Sequence, residues 1–120
     1  MRKILIVEDE TSLLKALIFK LSKHGYDISI AYDGEEAVTI LSETKFDIVL
    51  LDIALPGFDG IHVLDFLHLE DNAPHIFVLS DLPETQVRQK TNKYEIRKRF
   101  KKSVLLLSDL IDHLEETHKD

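Results

Sequence analysis

Three apolar runs and a lone phenylalanine in this chain lead into residues whose types together suit phosphoryl chemistry. ILIV at 4–7 runs into Glu8 and Asp9, and IVLL at 48–51 runs into Asp52, followed by Pro56, Gly57, Asp59 and Gly60. HIFVL at 75–79 stops on Ser80, and Phe100 leads into Lys101 and Lys102. Brought to one edge, three carboxylates repel each other until a divalent cation stands among them. A site with few carboxylates and room for water suits Mg2+, a hard cation that also binds phosphoryl oxygens. Asp52 would then act as a nucleophile, with Mg2+ and Lys102 neutralising a transferring phosphoryl group and the Ser80 hydroxyl donating to its oxygen. The product would be an aspartyl phosphate.

Such convergence needs parallel strands, because the C-terminal ends of an open parallel sheet form its ligand crevice. KILIVE at 3–8 reads as a strand buried on both faces. Thr11 to His24 places Leu13, Leu17 and Leu21 on one helical stripe beside Leu14 and Ile18, and Gly25 supplies a stop. YDISIAY at 26–32 is a second strand, and Asp33 with Glu36 three residues on opens a helix from Gly34 to Ser42, buried through Ala37, Val38 and Leu41. FDIVLLD at 46–52 is the third strand. The next helix turns Ile61, Leu64 and Leu67 inward and ends near Asn72 and Pro74, before HIFVLS at 75–80.

The last third is less periodic. Glu84 to Tyr94 offers only Val87, Thr91 and Tyr94 as an inward stripe, which predicts the weakest helix. Ile96 and Phe100 mark a fifth strand among basic residues, and Leu106, Leu107, Leu110, Ile111 and Leu114 a closing helix. The alternation predicts an α/β fold: a five-stranded parallel sheet with helices on both faces, doubly wound, (βα)5.

At 120 residues, 44% hydrophobic and 31% charged, the chain has the length for one domain spanning 1–120. It has no apolar run of membrane-spanning length, and MRKILIVEDE lacks the pattern of a signal peptide, so a cytoplasmic protein without membrane contact is expected. The absence of Cys excludes disulfides and thiolate metal sites. A net charge of −7 argues against direct nucleic-acid binding. Glu84 to Ser103 nevertheless holds eight Lys or Arg against two acids. That segment is either a solvated basic face or a docking surface for something acidic. The six His include no i, i+4 pair, which removes the usual helical metal clasp.

The acid pair in ILIVEDE, the stretch LLDIALPGFDG, the serine closing HIFVLS and the lysine in RFKKS resemble, in this order, the receiver domain of bacterial response regulators, the CheY-like (flavodoxin-like) fold. The resemblance spans essentially the whole chain. It implies phosphorylation on Asp52 by a histidine kinase or phosphotransfer protein, with Asp9 a direct Mg2+ ligand, Glu8 a ligand through water, and the Ala54 carbonyl a further ligand. It also implies that the fourth helix, fifth strand and last helix form the face for output or homodimer contacts. Lys102 is chosen as the family's lysine because strand alternation then turns Phe100 inward, with Lys101 as the fallback.

Several residues depart from the family pattern. Ser103 replaces the usual proline after the lysine, so the peptide there is either cis at a local cost or trans with a shifted lysine. Arg99 stands where an aromatic switch residue is usual, and Glu95 where glycine is usual before the fifth strand. Asp81 follows Ser80 in place of a small residue; its carboxylate either faces the pocket and repels a phosphoryl group or caps the fourth helix. These departures leave a second reading open, a pseudo-receiver that binds partners without being switched by phosphorylation. An Asp-nucleophile phosphatase would need a second Asp at position 54, which is alanine.

Overall fold

Alternate residues of each central strand pack into two separate cores. Ile4, Ile6, Ile48, Leu50, Phe77 and Leu79 belong to one, whereas Leu5, Val7, Val49, Leu51, Ile76 and Val78 belong to the other. Such strands are apolar on both faces because helices cover both. The computed structural model describes residues 1–54 and 60–119, so the Pro56–Gly57–Asp59 part of the expected turn lies outside the described residues.

The strands are β1 (Lys3–Val7), β2 (Asp27–Ala31), β3 (Ile48–Asp52), β4 (His75–Ser80) and β5 (Lys98–Lys101). They form one parallel sheet in the order β2-β1-β3-β4-β5. The order reverses at β1, so the crevice beyond the ends of β1 and β3 is the topological switch point. The helices are α1 (Thr11–Lys23), α2 (Gly34–Glu43), α3 (Gly60–His68), α4 (Glu84–Thr91) and α5 (Leu107–Glu116). Helices α1 and α5 cover one face through Leu14, Leu17, Leu21, Leu110, Ile111 and Leu114. Helices α2, α3 and α4 cover the other, and Val63, absent from the expected stripe, is fully buried there while Ile61 is only partly so.

Local signals explain most boundaries. The Asp33 carboxylate accepts from Glu36 N at 2.8 Å and starts α2 as its spacing predicts. Gly25, at φ +79°, takes the left-handed conformation that stops α1. No described peptide bond is cis, so Lys102–Ser103 is trans. Strand β5 begins at Lys98, two residues after Ile96. A 3-10 turn, Lys102–Val104, follows it directly. Leu106, expected in the closing stripe, precedes α5 and is 69% exposed.

The opposite edge of the sheet is tied to α5 by polar side chains. Tyr26 Oη donates to Glu115 Oε2 at 3.2 Å, and His24 Nδ1 lies 3.0 Å from Glu115 Oε1. Burial, reinforced by the Glu115 charge, pushes the Tyr26 hydroxyl up to about 12. None of the helices among the described residues is long and apolar enough to cross a membrane.

Gly60 opens α3 against the end of β3. A Cβ there would stand 2.6 Å from Ile53 Cα and 2.9 Å from the Asp52 carbonyl oxygen. At an open helical position Gly→Ala stabilises by about 1 kcal/mol. Here backbone overlap reverses the sign, and Gly60→Ala is expected to lower the unfolding free energy by about 1–3 kcal/mol in urea titration. A gain in stability would refute the close approach.

Candidate functional site

Each acid at the crevice is delivered by a strand end, and the lysine by the turn that follows one. Glu8, one residue past β1, is fully buried, and Asp52, the last residue of β3, is 4% exposed. Asp9 is exposed at the mouth. Glu8 Oε2 accepts from Asp9 N at 3.0 Å and Glu10 N at 2.9 Å, which fixes the carboxylate to its own backbone. Asp52 Oδ1 accepts from Ala54 N at 2.8 Å, placing Ala54 directly beside it. Ligand oxygens of Glu8, Asp9 and Asp52 all lie within 4.8 Å of one another.

The Lys102 ammonium joins these groups. It donates to Asp52 Oδ2 at 3.0 Å and to Glu8 Oε2 at 3.1 Å, and lies 3.3 Å from Glu10 Oε2. Its side chain is 13% exposed, whereas Lys101 is exposed. Strand alternation does not carry it there, because β5 ends at Lys101. The 3-10 turn after the strand swings Lys102 over the carboxylates. Glu10 is the one member of this constellation that spacing arguments passed over, although it is the third acid of the same run. It is also the N-cap residue of α1, with no side-chain capping bond.

Ser80 lies at the end of β4, one residue beyond Leu79, the pairing partner of Asp52. It is 2% exposed, and its Oγ accepts from Leu82 N at 3.0 Å, leaving the hydroxyl proton available to donate elsewhere. Asp81 does not cap the fourth helix. Its Oδ1 accepts from Ser103 N at 2.8 Å, and α4 begins after Pro83 without any side-chain cap. Arg99 is also engaged: its Nε donates to Thr91 Oγ1 at 2.8 Å and a terminal nitrogen lies 3.4 Å from the Thr91 carbonyl. Burial, with Arg88 nearby, lowers its pKa. Beside Ser80, between α4 and β5, runs an open groove of about 490 Å³ lined by Leu82, Val87, Arg88, Arg97 and Lys101.

The electrostatics favour adding a cation. Burial raises the Glu8 pKa above its ordinary 4.5, and the Asp52 charge adds to this, while hydrogen bonds from the Glu10 backbone and Lys102 only partly oppose it. For Lys102 burial acts downward, but hydrogen bonds and charge from Glu8 and Asp52 outweigh it and hold the ammonium above the usual lysine range. Glu8 Oε1, though 3.0 Å from Lys102 Nζ, makes no hydrogen bond. One ammonium against the carboxylates of Glu8, Asp9, Glu10 and Asp52 leaves this edge with an excess of negative charge, which a divalent ion would offset. The donor set, all hard oxygens with one buried and unsatisfied, fits such an ion.

The sign of the pH dependence follows. A carboxyl whose folded pKa lies above its unfolded value is easier to protonate in the fold, so its contribution is greatest below the unfolded pKa and falls as pH rises through the folded one. Without divalent ions, Glu8→Gln is therefore expected to be more stable than the parent at pH 7 in urea titration. The advantage should shrink as pH falls towards 4.5. A variant less stable at pH 7 would show that the Lys102 attraction outweighs burial.

The family model of the response regulator receiver domain matches residues 4–115. Among solved structures, the chain is similar to the Francisella response regulator 1452 receiver domain, at 24% identity and TM-score 0.87, with 99% of this chain and 98% of that one covered. It is also similar to the N-terminal domain of a response regulator/sensory box/GGDEF 3-domain protein from Carboxydothermus hydrogenoformans, at 29% identity and TM-score 0.83, covering 97% and 93%. The response regulator TrrA from Thermotoga maritima, solved in complex with Mg2+ and BeF, matches at 26% identity and TM-score 0.83, covering 98% and 99%. Acids at the switch point of a 2-1-3-4-5 sheet and a family match over nearly the full length lead to the same place: this chain belongs to the response regulator receiver domains, signalling domains of two-component systems.

Proposed function

We propose that this domain accepts a phosphoryl group on Asp52 from a histidine kinase or phosphotransfer protein, in the cytoplasm, and controls a partner or output domain through the α4-β5-α5 face. The observation that carries the reading is the Lys102 ammonium held 3.0 Å from Asp52 Oδ2 and 3.1 Å from Glu8 Oε2 at the switch point. An Asp52 carboxylate oxygen attacks phosphorus and forms a new P–O bond. The bond from phosphorus to the donor, P–N in a phosphohistidine or P–O in an acyl phosphate, breaks, and its electron pair leaves with the donor. Lys102 moves from pairing with the carboxylate to pairing with the incoming oxygens, and the Ser80 hydroxyl donates to one of them.

Asp9 directly, Glu8 through water, Asp52 and the Ala54 carbonyl would hold Mg2+ here, as the fit of the acids to a divalent ion supports. Bound there, Mg2+ supplies neutralisation of charge on the phosphoryl oxygens. Water attack on the phosphoaspartate would return Asp52 to its starting state, so the domain's own chemistry is limited to transfer and slow reversal. The α4-β5-α5 face suits a two-fold homodimer, because Arg88, Lys98 and Lys101 on α4 and β5 are exposed, as are Asp109, Asp112 and Glu116 on α5. One observation favours the alternative pseudo-receiver, a partner-binding module without a phosphorylation switch: Arg99, where an aromatic switch residue is usual, is already bonded to Thr91.

The test is incubation with Mg2+ and acetyl phosphate, followed by intact mass and size-exclusion measurement. Added phosphate is expected in the parent and none in Asp52→Asn. Chelation by EDTA should prevent labelling, and Lys102→Ala should slow it on the order of 100-fold, as loss of a charge-stabilising donor does. Unlabelled parent protein would sink the phosphoacceptor reading, whereas labelling that leaves partner binding and size unchanged would favour the unswitched module.

A further inference from the structure

The loop after β4 and the turn after β5 are joined by the bond from Ser103 N to Asp81 Oδ1, 2.8 Å long and 22 residues apart in sequence. Ser103 is the second residue of the turn Lys102–Val104, whose opening N–H groups have no acceptor within the turn itself. Lys101, at the N-cap, offers no side-chain acceptor either. Asp81 therefore caps this turn from the loop that follows the neighbouring strand. A proline at 103 would carry no N–H to cap. The serine exposes a donor and the aspartate meets it.

The first residue of that capped turn is Lys102, and Leu105 N closes the turn onto the Lys102 carbonyl at 3.3 Å. At its other end Asp81 adjoins Ser80, whose hydroxyl is held by Leu82 N. One carboxylate thus ties the backbone of the lysine to the loop that begins at the serine. A lysine stem has four carbons and many rotamers, so attraction to Glu8 and Asp52 leaves the ammonium freedom that a pinned backbone removes.

We propose that Asp81 is a positioning residue: by accepting from Ser103 it fixes the Lys102 turn and so the placement of the ammonium over Asp52. Its effect on rate rests on the phosphoacceptor reading above, whereas its effect on Lys102 does not. The competing role, repulsion of an incoming phosphoryl group, predicts the opposite sign. The carboxylate is exposed to solvent and engaged by Ser103, which favours positioning.

The experiment compares Asp81→Ala and Asp81→Asn for labelling by acetyl phosphate with Mg2+, in the parent and in Lys102→Ala. Asp81→Ala should slow labelling about three- to tenfold, the rate equivalent of one net hydrogen bond. Asp81→Asn keeps the acceptor and should restore most of the rate. In the Lys102→Ala background Asp81→Ala should have no further effect, since its target is gone. Faster labelling in both Asp81 variants would overturn the proposal in favour of repulsion, and a full additional loss without Lys102 would overturn it by showing that Asp81 acts elsewhere. NMR supplies a readout free of phosphorylation: Asp81→Ala should shift the Lys102 side-chain ¹³Cε resonance and speed exchange of the Ser103 amide, with Asp81→Asn close to the parent. A Lys102 resonance unmoved in Asp81→Ala sinks the proposal whether or not the parent accepts phosphate. A parent that is unlabelled, but whose Lys102 responds, supports the clasp and sinks the phosphoacceptor reading alone.

Discussion

Two buried carboxylates at adjacent strand ends, Glu8 and Asp52, set the problem that the rest of this molecule answers. An isolated buried carboxylate is expensive, and two side by side are worse, so the fold supplies partners from every direction. Backbone N–H groups of Asp9, Glu10 and Ala54 turn inward to the acids, and Lys102 reaches them from the turn after β5, a strand two places away from β3. The compensation remains incomplete at Glu8, whose pKa stays raised. An edge left short of positive charge by its own fold is one that an added cation would stabilise.

The sheet makes that edge possible because its interior needs nothing from it. Successive residues of β1, β3 and β4 alternate between two apolar cores, each closed by helices, and stability is carried there by full burial of residues such as Leu5, Ile48, Leu50 and Phe77. Charged groups can then collect at the C-terminal ends without disturbing the packing. The separation also explains the tightness at Gly60, where α3 must start directly against the strand that presents Asp52.

How much of this was legible in the sequence depends on range. Strands and helices were readable because hydrophobic period is local: Leu17 and Leu21 of the expected α1 stripe are buried, though the third inward leucine is Leu14 where Leu13 was expected and Ile18 is exposed, and Asp33 caps as its distance from Glu36 requires. The gathering of acids was readable because a parallel sheet brings all strand C-termini to one edge. Pairings between loops were not. Asp81 meets Ser103 across the β4-α4-β5 crossover, and nothing in either neighbourhood names the other. Choosing between Lys101 and Lys102 by alternation assumed a strand that continues, whereas the backbone had already turned into a 3-10 segment. Arg99 showed as a departure in the sequence, but its partner Thr91 read only as part of a weak apolar stripe.

That partner gives α4 a property its composition lacks. With Val87 its only large apolar buried residue, the helix has almost nothing to choose one rotation about its axis over another. Each residue step turns a helix by about 100°, so rotation by a single step would carry Thr91 out of reach of both Arg99 contacts. A directional fork of N–H groups thus fixes the azimuth of α4 where hydrophobic packing leaves it free, and with it which of the helix's side chains look outward from the basic groove.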